Sequence, residues 1–114
     1  MSYLNRYFQE QTRADELFWN QAVVIYHSGP FYEIYERDGV GKATELSPIL
    51  ERPLLWNEKE NHRMIEFRDP ALLEKISEHM RFINLQHFHT KKYQKKSSLR
   101  RMFQRGMRGY VRVY

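Results

Sequence analysis

Ala22-Val23-Val24-Ile25-Tyr26 restricts the fold more than any other stretch of this chain: five consecutive apolar residues, three of them β-branched. The run lacks the alternation of a half-solvated strand, so it predicts a strand buried on both faces. Ser28-Gly29-Pro30 breaks it, and Phe31 to Tyr35 follows as the second strand of a hairpin. At strand spacing Phe31 and Glu33 point to one side and Tyr32 to the other. The charge-free segment around this run, Leu17 to Tyr32, contains Asn20, Gln21, His27, Ser28, Gly29 and Pro30. It is therefore a strand and a turn, not a membrane span.

The remaining elements follow from periodicity and breakers. Leu4, Tyr7, Phe8, Ala14, Leu17 and Phe18 recur at 3- and 4-residue steps, which predicts an amphipathic helix over 3–20 with Arg6, Glu10, Arg13 and Glu16 on its outer side. Asp38 is placed to cap a short helix over 39–46 that Pro48 ends. Pro53 to Asn57 reads as a short edge strand, because Pro cannot donate to a ladder. Residues 58–61 turn the chain into a strand at Met64–Phe67. Asp69-Pro70 opens a helix that runs to about His79 and buries Leu72, Leu73 and Ile76. Phe82 to Phe88 alternates as a strand, 90–98 is a basic loop, 99–105 forms a turn of helix, and 110–114 is a closing strand. The expected fold is a mixed α/β domain, a central mixed sheet with helices packed on it. Residues 1–90 form its core, and 91–114 are a basic segment ending in a strand of the same domain.

The 114 residues include no cysteine, which excludes disulfides and thiolate metal sites. Residues 1–20 carry Arg6, Glu10, Arg13, Asp15 and Glu16 where a secretory leader would need an apolar core, so a cytoplasmic protein is expected, or one in whichever compartment holds DNA. The net charge of +5 conceals an asymmetry. Residues 1–78 hold 9 Lys+Arg against 14 Asp+Glu, whereas 79–114 hold 10 Lys+Arg and no acid. Lys91, Lys92, Lys95, Lys96, Arg100, Arg101, Arg105, Arg108 and Arg112 are interleaved with Tyr93, Phe103 and Tyr110. That pattern suits phosphate neutralisation with some base stacking.

The hairpin adds a sharper signal. Gly29, Phe31, Tyr32, Glu33 and Tyr35, preceded by Val23-Val24-Ile25-Tyr26 and followed by Asp38, Ala43 and Leu46, resemble the Gly-Asp-Phe-Tyr-Glu motif of the MutS mismatch-repair family's N-terminal domain. Two positions depart from it: Pro30 stands where the family has an acid, and Gly39 where it has another small residue. The resemblance implies that Phe31 enters the duplex from the minor groove beside a mispaired base, that Glu33 hydrogen-bonds that base, and that the DNA kinks. Wedging an apolar side chain between base steps costs a few kcal/mol of unstacking, and stacking returns about 1–3 kcal/mol. A wedge is thus near break-even on paired DNA and favourable on weakened DNA. The implied partner is mismatched or distorted double-stranded DNA. The sites would be Phe31 and Glu33 with Lys91, Lys92, Lys95, Lys96, Arg100, Arg101 and Arg105 as phosphate anchors, acting as a homodimer or within a larger repair assembly.

No cofactor, metal or catalytic residue is expected. Gly39-Val40-Gly41-Lys42 looks like part of a P-loop, but Glu36 occupies the first glycine's place and Ala43 that of the Ser/Thr, so ATP binding is not expected. His79, His87 and His89 have no thiolate or carboxylate at a ligating spacing. A metal-dependent nuclease using Glu33, Glu36 and Asp38 is the enzymatic alternative, although strand spacing puts Glu33 and Glu36 on opposite faces. A protein-interaction or virion-type structural module that kept the fold is the other.

Overall fold

A computed structural model describes residues 3–88 and 110–113. Helix α1 (Tyr3–Phe18) leads into the hairpin β1 (Ala22–Ser28) and β2 (Phe31–Arg37), then the two-residue strand β3 (Val40–Gly41) and helix α2 (Ala43–Leu50). The hairpin β4 (Leu55–Asn57) and β5 (His62–Phe67), helix α3 (Leu72–His79) and strands β6 (Phe82–Phe88) and β7 (Tyr110–Val113) follow. The strands form one mixed sheet in the order β4-β5-β2-β1-β6-β7, with β3 paired to β2. β1 lies parallel to β6 from Ala22↔Phe82 to Ser28↔Phe88, and β6 lies parallel to β7. The chain is a mixed α/β protein in which helices cover both faces of a central sheet.

Side-chain alternation divides the core in two. Val23, Ile25, Tyr32, Ile34, Ile65, Phe67, Ile83 and Leu85 point to the face covered by α2 and α3, where they meet Leu46, Leu50, Leu73 and Ile76. Val24, Tyr26 and Tyr35 point to the other face and pack on Leu4, Tyr7 and Phe8 of α1. Ala22 to Tyr26 is buried along its whole length, as an uninterrupted apolar run at the centre of a two-sided sheet should be.

Three expectations need correction. The first helix ends at Phe18, not at residue 20, because Trp19 and Asn20 take positive φ (51° and 64°), and Leu17 is left 64% exposed. No helix begins at Asp38. Asp38-Gly39 is instead a two-residue hairpin turn that closes the Arg37↔Val40 pair, and Asp38 has φ 52°. An Asp-Gly pair between extended segments is a strong hairpin signal, and here it outweighs the capping preference of Asp. Pro48 lies inside α2, which ends two residues later with Glu51 in the left-handed conformation.

Gly41 makes the β3–α2 junction possible. Its φ is +116°, and a Cβ there would stand 2.0 Å from the Tyr35 carbonyl oxygen and 2.7 Å from the Glu36 Cα. Lys42, next in the chain, is buried and pairs with Asp15 of α1 at 3.6 Å. The P-loop-like glycines and lysine therefore tie β3 to β2 and α1. Lys42 faces a carboxylate, where a P-loop lysine would face phosphate.

Candidate nucleic-acid interface

The β1–β2 hairpin is paired near its tip and parted at its base. Its register contains Ser28↔Phe31, His27↔Tyr32 and Tyr26↔Glu33, and by the same count Val24 lies opposite Tyr35. At that place Tyr7 of α1 is inserted: its hydroxyl donates to the Val24 carbonyl at 2.5 Å and accepts from the Tyr35 N–H at 3.1 Å. Gln11, one helical turn on, donates to the Ala22 carbonyl (3.0 Å) and accepts from the Val24 N–H (2.9 Å). Two α1 side chains thus replace the ladder where the strands diverge, supplying partners to the Val24 N–H and carbonyl, the Tyr35 N–H and the Ala22 carbonyl. Tyr7 and Gln11 are both fully buried, and burial pushes the Tyr7 phenol well above its ordinary pKa.

At the tip, Gly29-Pro30 forms a two-residue turn with Gly29 at φ 58°. Glycine first and an imino acid with negative φ second is the order that a type II′ hairpin accepts. Phe31 is the first residue of β2, so the turn fixes its position. Phe31 and Glu33 share the α1 face, as strand spacing predicts, but Phe31 belongs to neither hydrophobic cluster. It is half-buried, and the Arg68 guanidinium lies 5.1 Å from its ring centroid. Arg68 stands one place beyond the Tyr32↔Phe67 pair, which brings it opposite Phe31. Nothing in the sequence marks Arg68 alone. Its signal is the alternation of β5, which gives Glu66 and Arg68 the face that Glu33 and Phe31 use.

Glu33 is flanked by Tyr26 on one side and by Glu66, its partner across β5, on the other. Burial raises its pKa above the ordinary carboxylate value, the hydrogen bond with the Tyr35 side chain works against this, and the nearby Glu66 adds to the rise. Two carboxylates directly opposite each other repel, which is why Glu66 adds to the rise. Behind the tip, on the other face, Tyr32 is buried between His27 (4.2 Å, 7° between planes) and Phe67 (5.1 Å, 17°). Desolvation pushes the Tyr32 phenol up to about 12 and lowers the His27 imidazole below its usual value. The stack gives the exposed side of the tip a rigid backing.

The acidic trio is not brought together. Glu36 is on the opposite face from Glu33, where it accepts from the Thr44 N–H (2.9 Å) and the Thr44 hydroxyl (2.8 Å) at the start of α2, with Arg63 3.7 Å away. Asp38 is in the β2–β3 turn. Among the described residues no group of three His, Asp or Glu side chains could hold a metal ion, and His79 instead lies 2.6 Å from Glu45. Lys91, Lys92, Lys95, Lys96, Arg100, Arg101 and Arg105 lie outside the described residues. No helix among the described residues is long and apolar enough to cross a membrane.

Comparison with protein-family models, curated proteins and solved structures finds no match to this chain.

Proposed function

We propose that this chain is a DNA-binding module, resembling the mismatch-recognition domain of MutS, that enters distorted duplexes with Phe31 and contacts the exposed base with Glu33. The observation that carries the reading is the placement of Phe31. It is held at the start of a strand by a tight turn, lies outside both cores, and shares a face with Glu33. Arg68 adds a cation beside the ring, where it can follow the phosphates flanking an opened step. Glu33, two residues on and on the same face, can accept from a donor on the base beside the wedge.

The described part of the chain holds more acid than base, so on this reading phosphate anchoring falls to the basic run after His89. The reading assigns no catalytic step, no cofactor and no metal. One observation favours a protein-interaction module instead: Leu55 and Trp56 of the edge strand β4, and Leu54 just before it, are exposed side by side.

The test is equilibrium binding of the full chain to matched and singly mismatched duplexes at low and moderate salt, with and without Mg²⁺. The reading expects the mismatched duplex to bind at least about fivefold tighter, because its opened step costs less to wedge. It also expects affinity to fall steeply with salt and both DNAs to stay intact. No binding to either duplex at low salt would overturn it in favour of the interaction module, and Mg²⁺-dependent cleavage would favour the nuclease.

A further inference from the structure

We infer that the cavity between α1 and β6 binds a planar aminated heterocycle, the adenine or cytosine class of nucleobase, read by Asn84 and Glu10 and held against Phe18 and Phe82. The cavity has a volume of about 310 Å³, near the lower end of the range for ligand pockets. Of the residues that line it only Glu10, Arg13 and Asn84 are polar, and none is a glycine, so a base and not a triphosphate is what it can read. It lies where β1 and β6 begin, at the Ala22↔Phe82 pair. The hairpin tip lies beyond Ser28, about 20 Å along the strand at 3.3 Å per residue. The cavity is therefore separate from the Phe31 site and is tested without it.

Asn84 points to a ligand. Alternation sets it on the α1 face of β6, beside Val24, in a strand paired on both sides, where Asn is disfavoured. Its side-chain oxygen is buried and has no hydrogen-bond partner among the described residues. The backbone groups of β1 nearby do not need it. Gln11 bonds the Ala22 carbonyl and the Val24 N–H, and Tyr7 bonds the Val24 carbonyl. A buried acceptor without a donor is destabilising, so an amide with no partner inside the chain suits one supplied through the cavity it lines. The terminal torsion of Asn is soft, and the amide can turn toward that partner.

The other lining residues narrow the choice. Ala14 and Ala22 are small, and the stacked Phe18 and Phe82 rings (4.1 Å, 24° between planes) offer a flat aromatic ligand a matching surface. An amide pairs bidentate with a ring nitrogen and the amino group next to it: the amino group donates to Oδ1, and Nδ2 donates to the ring nitrogen. Turned over, the same amide suits a carbonyl beside a ring N–H, so Asn84 alone does not choose between them. Glu10 does. It is half-buried and forms no ion pair among the described residues. A carboxylate only accepts, so it takes the second amino hydrogen and repels a carbonyl oxygen.

Titration calorimetry of the full chain with adenosine, inosine, cytidine and uridine tests this. The tighter of adenosine and cytidine should bind with a Kd of about 100 μM, and about tenfold tighter than its carbonyl counterpart, inosine or uridine. Asn84→Leu removes the amide at similar volume and should abolish saturable binding, with circular dichroism and melting temperature verifying the fold. Glu10→Gln adds a donor and should bring the amino and carbonyl members to within about twofold of each other. No saturation by about 5 mM nucleoside would overturn the proposal. So would equal wild-type affinity for the amino and carbonyl members, a folded Asn84→Leu that still binds, or a Glu10→Gln that keeps the full preference. Equal affinity for indole, which has the flat ring but not the edge, would make the cavity a general apolar slot and overturn it too.

Discussion

The two ends of the β1–β2 hairpin have opposite constructions. At the base the strands part, and the gap is filled by fully buried side chains from α1, with Tyr7 and Gln11 standing in for ladder hydrogen bonds. At the tip the strands pair directly, and on the α1 face the side chains are a half-buried ring, a cation and two opposed carboxylates. The base has the character of a core in which the buried Tyr7 hydroxyl and Gln11 amide are both hydrogen-bonded to the strands. The tip carries a half-buried ring that belongs to neither hydrophobic cluster, backed on the other face by the stacked His27, Tyr32 and Phe67. Stability should therefore be concentrated at the base and ligand contacts at the tip, and substitutions can separate the two.

The largest effect is expected at the junction that holds the base together. Gly41→Ala forces a Cβ into the Tyr35 carbonyl at a φ that side chains rarely adopt, and should cost about 3 kcal/mol or more. Urea denaturation measures this, and a loss below about 1 kcal/mol would show that β3 relaxes without harm to the sheet.

Next is Tyr7→Phe, which keeps the ring and removes only the hydroxyl between Val24 and Tyr35. A buried carbonyl and a buried N–H then lose their partner, so about 2–4 kcal/mol of stability should go. Amide exchange at Tyr35 should quicken more than exchange at Tyr32, because only the base opens. Equal quickening at both would contradict a division between base and tip.

A smaller effect belongs to the tip. The pKa of Glu33 is raised in the folded state, so folding binds a proton there that the unfolded chain releases more readily. Its stabilising contribution is complete below the ordinary carboxylate value of 4.5 and is lost as pH rises through the folded value. Glu33→Gln should remove this loss, making the variant about 0.5 kcal/mol more stable than the parent at pH 7, with the gain shrinking toward pH 4. Chemical denaturation of both proteins at the two pH values measures the difference. A variant less stable at pH 7 would mean that Glu33 is held by favourable contacts in its charged form.

Much of this arrangement was legible in the sequence, for identifiable reasons. The apolar run Ala22–Tyr26 reads as a strand buried on both faces, and alternation from Ile83 to Gln86 sets Ile83 and Leu85 apart from Asn84 and Gln86. The orientations of Phe31, Tyr32 and Glu33 follow from the two-residue period alone. The wedge of α1 into the hairpin was not legible, because Gln11 on an apolar helix face reads as an interruption until the parted strands that need its amide are in view. The strand at Val40–Gly41 was obscured because Asp38 serves equally well as a helix cap or as the first residue of an Asp-Gly turn. Arg68 acquires meaning only through the pairing of β5 with β2, in which partners such as Tyr32 and Phe67 are far apart in the chain.

The central claim, that the tip binds a ligand and does not hold the fold, is tested most directly by Phe31→Ala, measured at once for stability and for affinity toward matched and mismatched duplexes. A half-buried ring outside both clusters should cost less than about 1 kcal/mol on truncation, whereas a core Phe costs about 3–5 kcal/mol. The predicted result is a folded variant, its melting temperature nearly unchanged, that has lost most of its preference for mismatched DNA. A variant that unfolds, or one that keeps the preference intact, would contradict the account.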